Sequence, residues 1–312
     1  MKILVTGATG FIGRHLVHSL AMSEQHELIT VSRTVPDKLK ESHHHITCDM
    51  GDTGCEVFEK TCKHYKPEVI FHLASNAVPN LAGKNPYSMI KDNIISTYKV
   101  AESAPEGCRV VLVSSVTVYG DWLFYGNNKS EKYEERQYTQ PTSIYGMTKR
   151  ASESIIEIYT NMKKIDRCSL RLCATIGGGL THGIVKDFIV KLKSQNRWLE
   201  VFGDFPGSTK PFCHVDDAIQ AMLLMAKSRT PGKFNVCSDN ELSVEGVAYS
   251  VMSACDIQKP IRWLGSDSVW KGDNNIIRAS NNKIKSIGWN PKYPFAEDAI
   301  EAAVKESLCS TK

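Results

Sequence analysis

The sequence has almost nothing that indicates a membrane, a metal ion or a nucleic acid. No apolar run approaches the roughly 18 residues of a membrane-spanning helix, and Met1 leads directly into a predicted strand, so we expect neither a membrane segment nor a signal peptide. The ten cysteines include no C-x-x-C pair, so we predict no metal site and no redox motif. The net charge is only +4 with scattered basic residues, which argues against a nucleic-acid partner and suits a small anionic substrate. We therefore expect a cytoplasmic protein with reduced thiols.

The composition is typical of a globular protein. A sequence of 312 residues, 42% apolar and 23% charged, can form one large α/β domain or two lobes. Short apolar runs alternate with helical patterns up to a strand that ends at Leu172, and beyond it the alternation loosens. This alternation predicts a parallel sheet covered by helices on both faces.

The first segment of the sequence combines an apolar strand, three spaced glycines and the start of a helix. The strand includes the apolar run 3–5, and the helical pattern extends over 14–21. Between them, Gly7 allows a tight turn, Gly10 lets a diphosphate approach the backbone, and Gly13 lets the helix pack close to the strand. The helix N-terminus then offers free N–H groups to the phosphates. An ordinary glycine-rich turn of another α/β protein is the alternative, and the position directly after the first strand favours the dinucleotide site.

An acidic residue is missing at the end of the second predicted strand. In dinucleotide-binding folds, a carboxylate at this position binds the ribose hydroxyls and selects NAD. This sequence has Ser32 and Arg33 instead, and a hydroxyl with a guanidinium can bind the 2′-phosphate of NADP. The residues therefore favour NADP, and NAD is the alternative if Arg33 stacks on the adenine. After the third strand, Asp49 can reach the adenine amino group.

Small and hydroxyl side chains follow two further predicted strands. Ala74 and Ser75 leave room for a cofactor that passes the backbone. Ser114, Ser115 and Thr117 come at the carboxyl end of the next strand, which is where parallel sheets place their chemistry.

Tyr145 and Lys149 have the spacing of a proton-transfer pair. They are four residues apart on a helix predicted over 141–162, so they share one helical face. The reference pKa of a phenol is near ~10, and we expect the Lys149 ammonium to lower the pKa of Tyr145. With Ser115 holding a substrate oxygen, the three side chains form a proton-transfer device beside a nicotinamide. The alternative is an exposed pair on the helix surface.

These stretches together resemble the extended short-chain dehydrogenase/reductase superfamily, in its nucleotide-sugar epimerase/dehydratase branch. The resemblance extends over almost the whole sequence, and the matching stretches occur in the family order: TGATGFIG (6–13), DMGD (49–52), HLAS (72–75), the helix with Asn93, SSVTVYG (114–120), YGMTK (145–149), LR (170–171), HVDDAIQAM (214–222) and SIGWNP (286–291). It implies an α/β fold with a doubly wound parallel sheet (Rossmann) and a smaller α+β C-terminal substrate lobe. The implied NAD(P)-binding domain is 1–172 plus about 212–238, and the implied substrate lobe is 173–211 with 239–312.

The resemblance also implies roles for individual residues. Tyr145 is the catalytic acid or base, Lys149 is its partner and a ribose ligand, and Ser115 is the hydrogen-bonding hydroxyl. Asn93 supports the helix that carries Tyr145. The expected cofactor contacts are Gly7, Thr9, Gly10, Phe11, Ile12, Gly13, Ser32, Arg33, Asp49, Met50, Leu73, Ala74, Ser75, Ser114, Tyr145 and Lys149. The expected substrate contacts are Ser75, Ser115, Thr117, Lys210 and Lys271.

Departures from the family pattern narrow the range of reactions that we expect. Dehydratases of the family have Asp-Glu after the catalytic hydroxyl, where this sequence has Val116 and Thr117, and this argues against a 4,6-dehydratase. Galactose epimerases of the family have Phe-Asn where this sequence has Cys173 and Ala174, so an amide that would bind the nucleotide diphosphate is missing.

Two lysines replace family arginines that bind the diphosphate. Lys210 precedes the H-V-D motif, and Lys271 begins the counterpart of a later Arg-x-Gly-Asp motif. A lysine neutralises a diphosphate without the bidentate geometry of arginine. We therefore expect a nucleotide-diphosphate sugar as the substrate, with a nucleotide that the residues do not specify.

Two reactions and one non-catalytic role are compatible with these residues. Ser32, Arg33 and the missing amide favour a reductase that delivers hydride from NADPH to C4 of a nucleotide-linked 4-keto sugar, with Tyr145 as proton donor. The alternative is a 4-epimerase that keeps NAD bound and returns the hydride to the other face of the sugar. An NADP-binding redox sensor is less consistent, because such proteins typically lose the tyrosine or the lysine. The family resemblance also implies a homodimer formed through the helices at 87–103 and 145–162.

Overall fold

Apolar strands that alternate with helices along much of the chain build the centre of the protein. The computed structural model describes residues 1–23, 26–36, 43–77, 85–121, 132–266 and 274–309. The strands are β1 (Lys2–Thr6), β2 (Glu27–Ser32), β3 (His43–Thr47), β4 (Val69–His72), β5 (Arg109–Ser115), β6 (Asp166–Leu172), β7 (Ala174–Ile176), β8 (Leu199–Val201), β9 (Thr209–Lys210), β10 (Phe212–His214), β11 (Gly232–Val236), β12 (Leu242–Ser243) and β13 (Ile261–Trp263). The α-helices are α1 (Phe11–Met22), α2 (Val57–Tyr65), α3 (Pro86–Ile90), α4 (Ser96–Ser103), α5 (Ile144–Lys163), α6 (Ile184–Lys193), α7 (Val215–Ser228), α8 (Val244–Cys255), α9 (Asn282–Lys285) and α10 (Ala296–Cys309).

Seven strands form one parallel sheet in the order β11-β6-β5-β4-β1-β2-β3. The central strands are covered on both faces, and in β5 every residue is buried. Along β1, Ile3 and Val5 pack into the core with α1 and α7, while Leu4 packs into the core with α2 and α4 on the other face. The predicted doubly wound α/β fold is therefore confirmed.

The order of the strands places a crevice at the middle of the sheet. β1 pairs with β2 on one side and with β4 on the other, so the direction of the chain path reverses between β1 and β4. Open α/β sheets bind ligands outside the carboxyl ends of the strands at such a point. The glycine turn after β1, the segment after β4 and the serines at the end of β5 consequently lie along one edge.

A second apolar core lies in the C-terminal part of the chain. It is formed mainly by α6, α8 and α10, with side chains such as Phe188, Val251 and Ile300 fully buried. The segment with Ile277 and Trp289 packs instead with the core of the large sheet. The domain bounds implied by the family resemblance stay predictions.

The helix predicted over 87–103 is interrupted. A π-helical turn (Lys91–Ile95) joins α3 to α4, and the buried Asn93 lies in that turn. π-turns occur mostly as single insertions in helices at functional sites, because the extra residue redirects side chains. The sequence pattern did not predict the π-turn, since one added residue leaves the apolar spacing on either side unchanged.

Replacing Gly13 with alanine should destabilise the fold. The added Cβ would lie 2.1 Å from the Gly7 carbonyl oxygen, so the α1 N-terminus and the glycine turn cannot keep their present separation. Overpacking of this kind costs about 1–3 kcal/mol in the free energy of unfolding. Urea unfolding of the cofactor-free protein measures this cost. Gly54→Ala is the matched control, because the nearest atom to its added Cβ is 3.7 Å away. Equal stability of the two variants would contradict the packing role of Gly13.

Candidate active site

A groove follows the carboxyl edge of β1, β2, β3 and β4. It encloses about 260 Å³ and is lined by Gly7, Thr9, Gly10, Val31, Ser32, Arg33, Thr34, Cys48, Asp49, Met50, Gly51, Leu73, Ala74, Ser75 and Asp92. Ten of the residues expected to contact the cofactor lie in this lining. Phe11, Ile12, Gly13, Ser114, Tyr145 and Lys149 lie outside it. The groove therefore collects in one place residues from the ends of four separate strands and from the π-helical turn.

The glycine turn leaves backbone exposed where a diphosphate would need it. Gly7 has a φ of +70°, and a Cβ added there would lie 2.6 Å from the Ala74 nitrogen. The Gly10 nitrogen donates to the Gly7 oxygen at 3.0 Å, and Gly10 is the N-cap of α1. Because the cap residue has no side chain, no hydroxyl or carboxylate of the cap covers the N–H groups of the first helical turn. This geometry fits the phosphates of a dinucleotide.

The side chains of Phe11 and Ile12, at the start of α1, contribute to packing. The Phe11 ring packs edge-on against His15, with ring centroids 5.3 Å apart, and the Arg14 guanidinium lies 5.7 Å from the Phe11 centroid. Ile12 packs against the core of the large sheet. The side chains of Phe11 and Ile12 are thus partly buried against the core, and their backbone N–H groups are the atoms available to phosphates.

Charged side chains pair across the end of the groove near β2 and β3. The exposed Arg33 guanidinium lies 3.8 Å from the Asp92 carboxylate, and Lys91 Nζ lies 3.5 Å from Asp49. The Ser32 hydroxyl donates to the Thr34 carbonyl at 2.8 Å, so its proton already has an acceptor. Sequence reasoning missed Asp92, because it belongs to an element far from β2 in the sequence.

Asn93 holds together the segment after β4 and the helix α5. Its Oδ1 accepts from the Ser75 hydroxyl at 3.0 Å and from the Asn76 nitrogen at 2.6 Å. Its Nδ2 donates to the Thr148 hydroxyl at 2.9 Å and to the Asn76 oxygen at 3.1 Å. Asn93 thus touches the neighbour of Lys149 on α5, and its polar atoms are fully used in this position.

The end of β5 and the start of α5 approach closely. A Cβ added to Gly146 would lie 2.6 Å from the Thr117 oxygen, so glycine is needed for this contact. The Ser143 hydroxyl caps α5 by accepting from the Gly146 nitrogen at 3.1 Å. As a result, Tyr145 is within hydrogen-bonding reach of Ser115.

Burial changes the acidity of the two titratable groups on α5. Desolvation raises the pKa of Tyr145 to about 12, and the hydrogen bond with Ser115 opposes this rise. The expected lowering of the Tyr145 pKa by Lys149 is therefore wrong for the cofactor-free protein. The Lys149 ammonium instead donates to the Val113 carbonyl at 2.9 Å and lies 5.7 Å from the Tyr145 ring centroid. Burial also lowers the pKa of Lys149 to about 8, against the charge of Glu153.

A buried ion pair lies one helical turn beyond Lys149. Glu153 accepts from Arg171 Nε at 2.9 Å and from Nη2 at 2.8 Å, and both side chains are 2% exposed. The Ser114 hydroxyl, expected at the cofactor, donates to Glu153 at 2.6 Å. The sequence signal for Glu153 was its spacing, since it is four residues after Lys149 on the same helical face.

The expected substrate residues lie in different surroundings. The Thr117 nitrogen and hydroxyl both donate to the Ser115 oxygen, at 3.2 and 3.0 Å. Val116 is buried in the core, and neither Val116 nor Thr117 has a carboxylate. Lys210 is half-buried in β9, and Lys271 lies outside the described residues. Across the ranges that the structure describes, no helix is both long and apolar enough to cross a membrane.

The fold and the site together define the class of protein. A Rossmann sheet, a glycine-rich groove at its switch point and a Ser–Tyr–Lys set beside it are those of an extended short-chain dehydrogenase/reductase. The chain belongs to the NAD dependent epimerase/dehydratase family, whose sequence model matches residues 3–237. It is therefore an enzyme of the nucleotide-sugar branch of that superfamily, as the sequence predicted.

Individual relatives match this chain over almost its whole length. The chain is 26% identical over 309 residues to UDP-glucuronic acid decarboxylase 6 of Arabidopsis thaliana, covering 95% of this chain and 86% of that protein. It is 26% identical over 313 residues to UDP-glucose 4-epimerase of Mycolicibacterium smegmatis, covering 95% and 96%. The crystal structure of UDP-glucose 4-epimerase from Thermotoga maritima with UDP-glucose superposes with a TM-score of 0.86 at 23% identity over 100% of both chains, which shows the shared fold.

The Lys149 side chain should lose its proton far below the usual lysine range. In the cofactor-free protein we expect a pKa of about 8, because burial disfavours the ammonium more than Glu153 favours it. The charge of Lys149 is then present below pH 8 and is lost as the pH rises through it. NMR titration of lysine labelled at Cε measures this, with Lys149→Met assigning the signal. A Lys149 pKa above 10 would contradict the buried position.

Proposed function

We propose that the protein is a nucleotide-sugar 4-epimerase that oxidises the C4 hydroxyl and reduces the resulting ketone from the other face. The observation that supports this most is the Ser115–Tyr145–Lys149 arrangement, next to positions 116 and 117 that hold no carboxylate. Elimination of water from a sugar needs a further acid and base, whereas hydride transfer with one proton needs only these side chains. The proposed substrate is a UDP-sugar, because the relatives above are named for UDP-sugars.

In this proposal Ser115 and Tyr145 hold the oxygen on C4. Tyr145 as phenolate takes the hydroxyl proton, C4 loses a hydride, and a ketone forms. The hydride then returns to the opposite face of C4 and the proton returns to the oxygen, so no net oxidation occurs. When bound, an oxidised nicotinamide supplies the hydride acceptor and a positive charge that favours the phenolate. This help is needed, because a phenol with a pKa of about 12 is ionised in only about one molecule in 10⁵ at pH 7.

Lys149 and Asn93 position Ser115 and Tyr145. Lys149 adds positive charge near the phenol and is fixed by the Val113 carbonyl. Asn93 fixes α5 through Thr148 and fixes Ser75 at the groove. These contacts hold the reacting groups in one geometry, which is where much of the rate of such reactions originates.

One-way reduction of a 4-keto sugar with NADPH is the second candidate. It is favoured by Arg33, whose exposed guanidinium at the end of β2 has the chemistry to bind a 2′-phosphate. Binding of NADPH in this way requires the Arg33 guanidinium to leave Asp92 and to pair with the 2′-phosphate. The two reactions differ in their cofactor balance, since only the reductase consumes NADPH.

A test of the proposed reaction supplies UDP-glucose, UDP-galactose or UDP-glucuronic acid to the purified protein and follows products by mass spectrometry and NMR. We expect C4 epimers to interconvert without net change in nicotinamide absorbance. Stoichiometric NADPH oxidation with a 4-keto sugar would support the reductase instead. Loss of CO₂ from UDP-glucuronic acid would show that oxidation at C4 leads to decarboxylation.

Replacing Tyr145 with phenylalanine should lower kcat about 10²-fold or more, because the hydroxyl that moves the proton is removed. Tyr138→Phe is the matched control, since Tyr138 is 69% exposed and lies outside the site. Binding of the cofactor is measured for both variants. A Tyr145→Phe protein with nearly full turnover would contradict the assignment of Tyr145.

We further propose a homodimer formed through α4 and α5, whereas the cytoplasmic location stays a prediction. The two helices pack together, with the Tyr98 and Tyr159 rings 6.1 Å apart. Their outer faces expose Tyr98 (46%), Ile158 (57%) and Met162 (68%). A second copy related by a two-fold axis would join four such helices and cover these apolar side chains.

The oligomeric state tests the dimer. Light scattering after size-exclusion chromatography should give a dimer for the native protein and a monomer for the double variant Ile158→Glu with Met162→Glu, because two carboxylates on each copy would be buried at the interface. Val190→Glu is the control, since Val190 is equally exposed (55%) on α6. A monomeric native protein would contradict the proposed dimer.

A further inference from the structure

Asp92, from the π-helical turn, places a carboxylate beside Arg33 at the end of β2, where the strand itself has no acidic residue. β2 is followed by Arg33, with no acidic residue at the position that binds the ribose hydroxyls in NAD-selective folds. Asp92, on the π-helical turn, lines the same end of the groove. Its Oδ2 lies 3.8 Å from Arg33 Nη1 and accepts from Asn76 Nδ2 at 3.4 Å. The two partners differ in exposure, because the Asp92 side chain is 18% exposed and that of Arg33 is 69% exposed.

We propose that Asp92 selects the cofactor, by accepting hydrogen bonds from the adenosine ribose hydroxyls of NAD and by repelling the 2′-phosphate of NADP. The inference rests on the proposed function and deepens it, since it names the residue that selects the cofactor of the groove. It assigns to the π-helical turn the role that the end of β2 has in other dinucleotide-binding folds.

The surroundings of Asp92 restrict where its carboxylate can lie. A Cβ added to Gly51 would lie 3.0 Å from Asp92 Oδ1, so the loop after β3 approaches the carboxylate to contact distance. The next residue, Asn93, is 1% exposed and makes hydrogen bonds to the segment after β4 and to α5. A carboxylate restricted in this way keeps its negative charge beside the groove. It can therefore distinguish the ribose hydroxyls of NAD from the 2′-phosphate of NADP.

The charges at this end of the groove cancel. Arg33 is paired with Asp92 and Lys91 with Asp49, so two formal positive charges meet two negative ones. The Ser32 hydroxyl, which could have donated to a phosphate, donates to the Thr34 carbonyl. A 2′-phosphate would therefore have to displace Asp92 from Arg33 and lie next to the displaced carboxylate. Ribose hydroxyls meet no such repulsion, because they donate to carboxylates.

Calorimetric titration of the full-length, nucleotide-free protein with NAD and with NADP tests this assignment. We expect the native protein to bind NAD at least about tenfold more tightly than NADP, because like charges brought together at an interface are strongly disfavoured. Asp92→Asn should reduce that preference at least about tenfold, through weaker NAD binding and tighter NADP binding. Adding Arg33→Ala to this variant should remove the gain in NADP affinity.

Glu56→Gln is the matched control for the change in net charge. Glu56 pairs with Lys60 on the exposed start of α2 and does not line the groove, so its variant should keep the native ratio of the two dissociation constants. A ratio that Asp92→Asn leaves unchanged, or an equal loss of both affinities, would overturn the role in selection. Tighter binding of NADP than of NAD by the native protein would overturn it as well, while leaving the enzyme class intact. Failure of the native protein to bind either nucleotide would instead overturn the proposed function.

Discussion

A chain of buried hydrogen bonds joins the glycine turn to the helix that carries Tyr145, and the site depends on it. The Thr6 hydroxyl accepts from the Leu73 and Ala74 nitrogens at 3.2 Å, so its own proton is available for His72 Nδ1 at 2.7 Å. His72 Nε2 lies 3.1 Å from the Thr97 hydroxyl, which lies 3.0 Å from Ser152 on α5. The arrangement defines a neutral imidazole with its proton on Nε2. Burial and the charge of Lys149 lower the pKa of His72 to about 3, so the chain is not broken by protonation at neutral pH.

The same burial that fixes the site also sets its chemistry. Desolvation moves the pKa of Tyr145 and that of Lys149 away from the values needed for an ion pair in the cofactor-free protein, since it raises the former and lowers the latter. In the cofactor-free protein Tyr145 therefore keeps its proton, and Lys149 is partly neutral. Reaction then requires a ligand with positive charge in the groove, which connects turnover to cofactor binding in the proposed mechanism.

Most of the fold could be predicted from local patterns. Continuous apolar runs identified buried parallel strands, and the glycine spacing identified the tight turn after β1, because only glycine tolerates the approach of Gly7 to Ala74. The helix predicted over 87–103 is present, but the π-turn within it was not predicted, since that turn adds one residue without altering the apolar pattern. Lowering of the Tyr145 pKa was wrong for a related reason, because helical spacing places Lys149 on the right face but does not show that its ammonium donates to Val113.

The sequence by itself determined the class of protein and indicated the proposed reacting groups, because periodicity, glycine positions and a Tyr–Lys spacing are properties of neighbouring residues. Only the tertiary structure decided which charges meet at the ends of the groove. Asp92 reaches Arg33 and Asn93 reaches Thr148 across elements that are distant along the chain, and Glu153 meets Arg171 on the strand that follows its helix. Such contacts follow from the order of strands in the sheet and from the π-turn, and electrostatic energies depend on the distances and the burial that these features set.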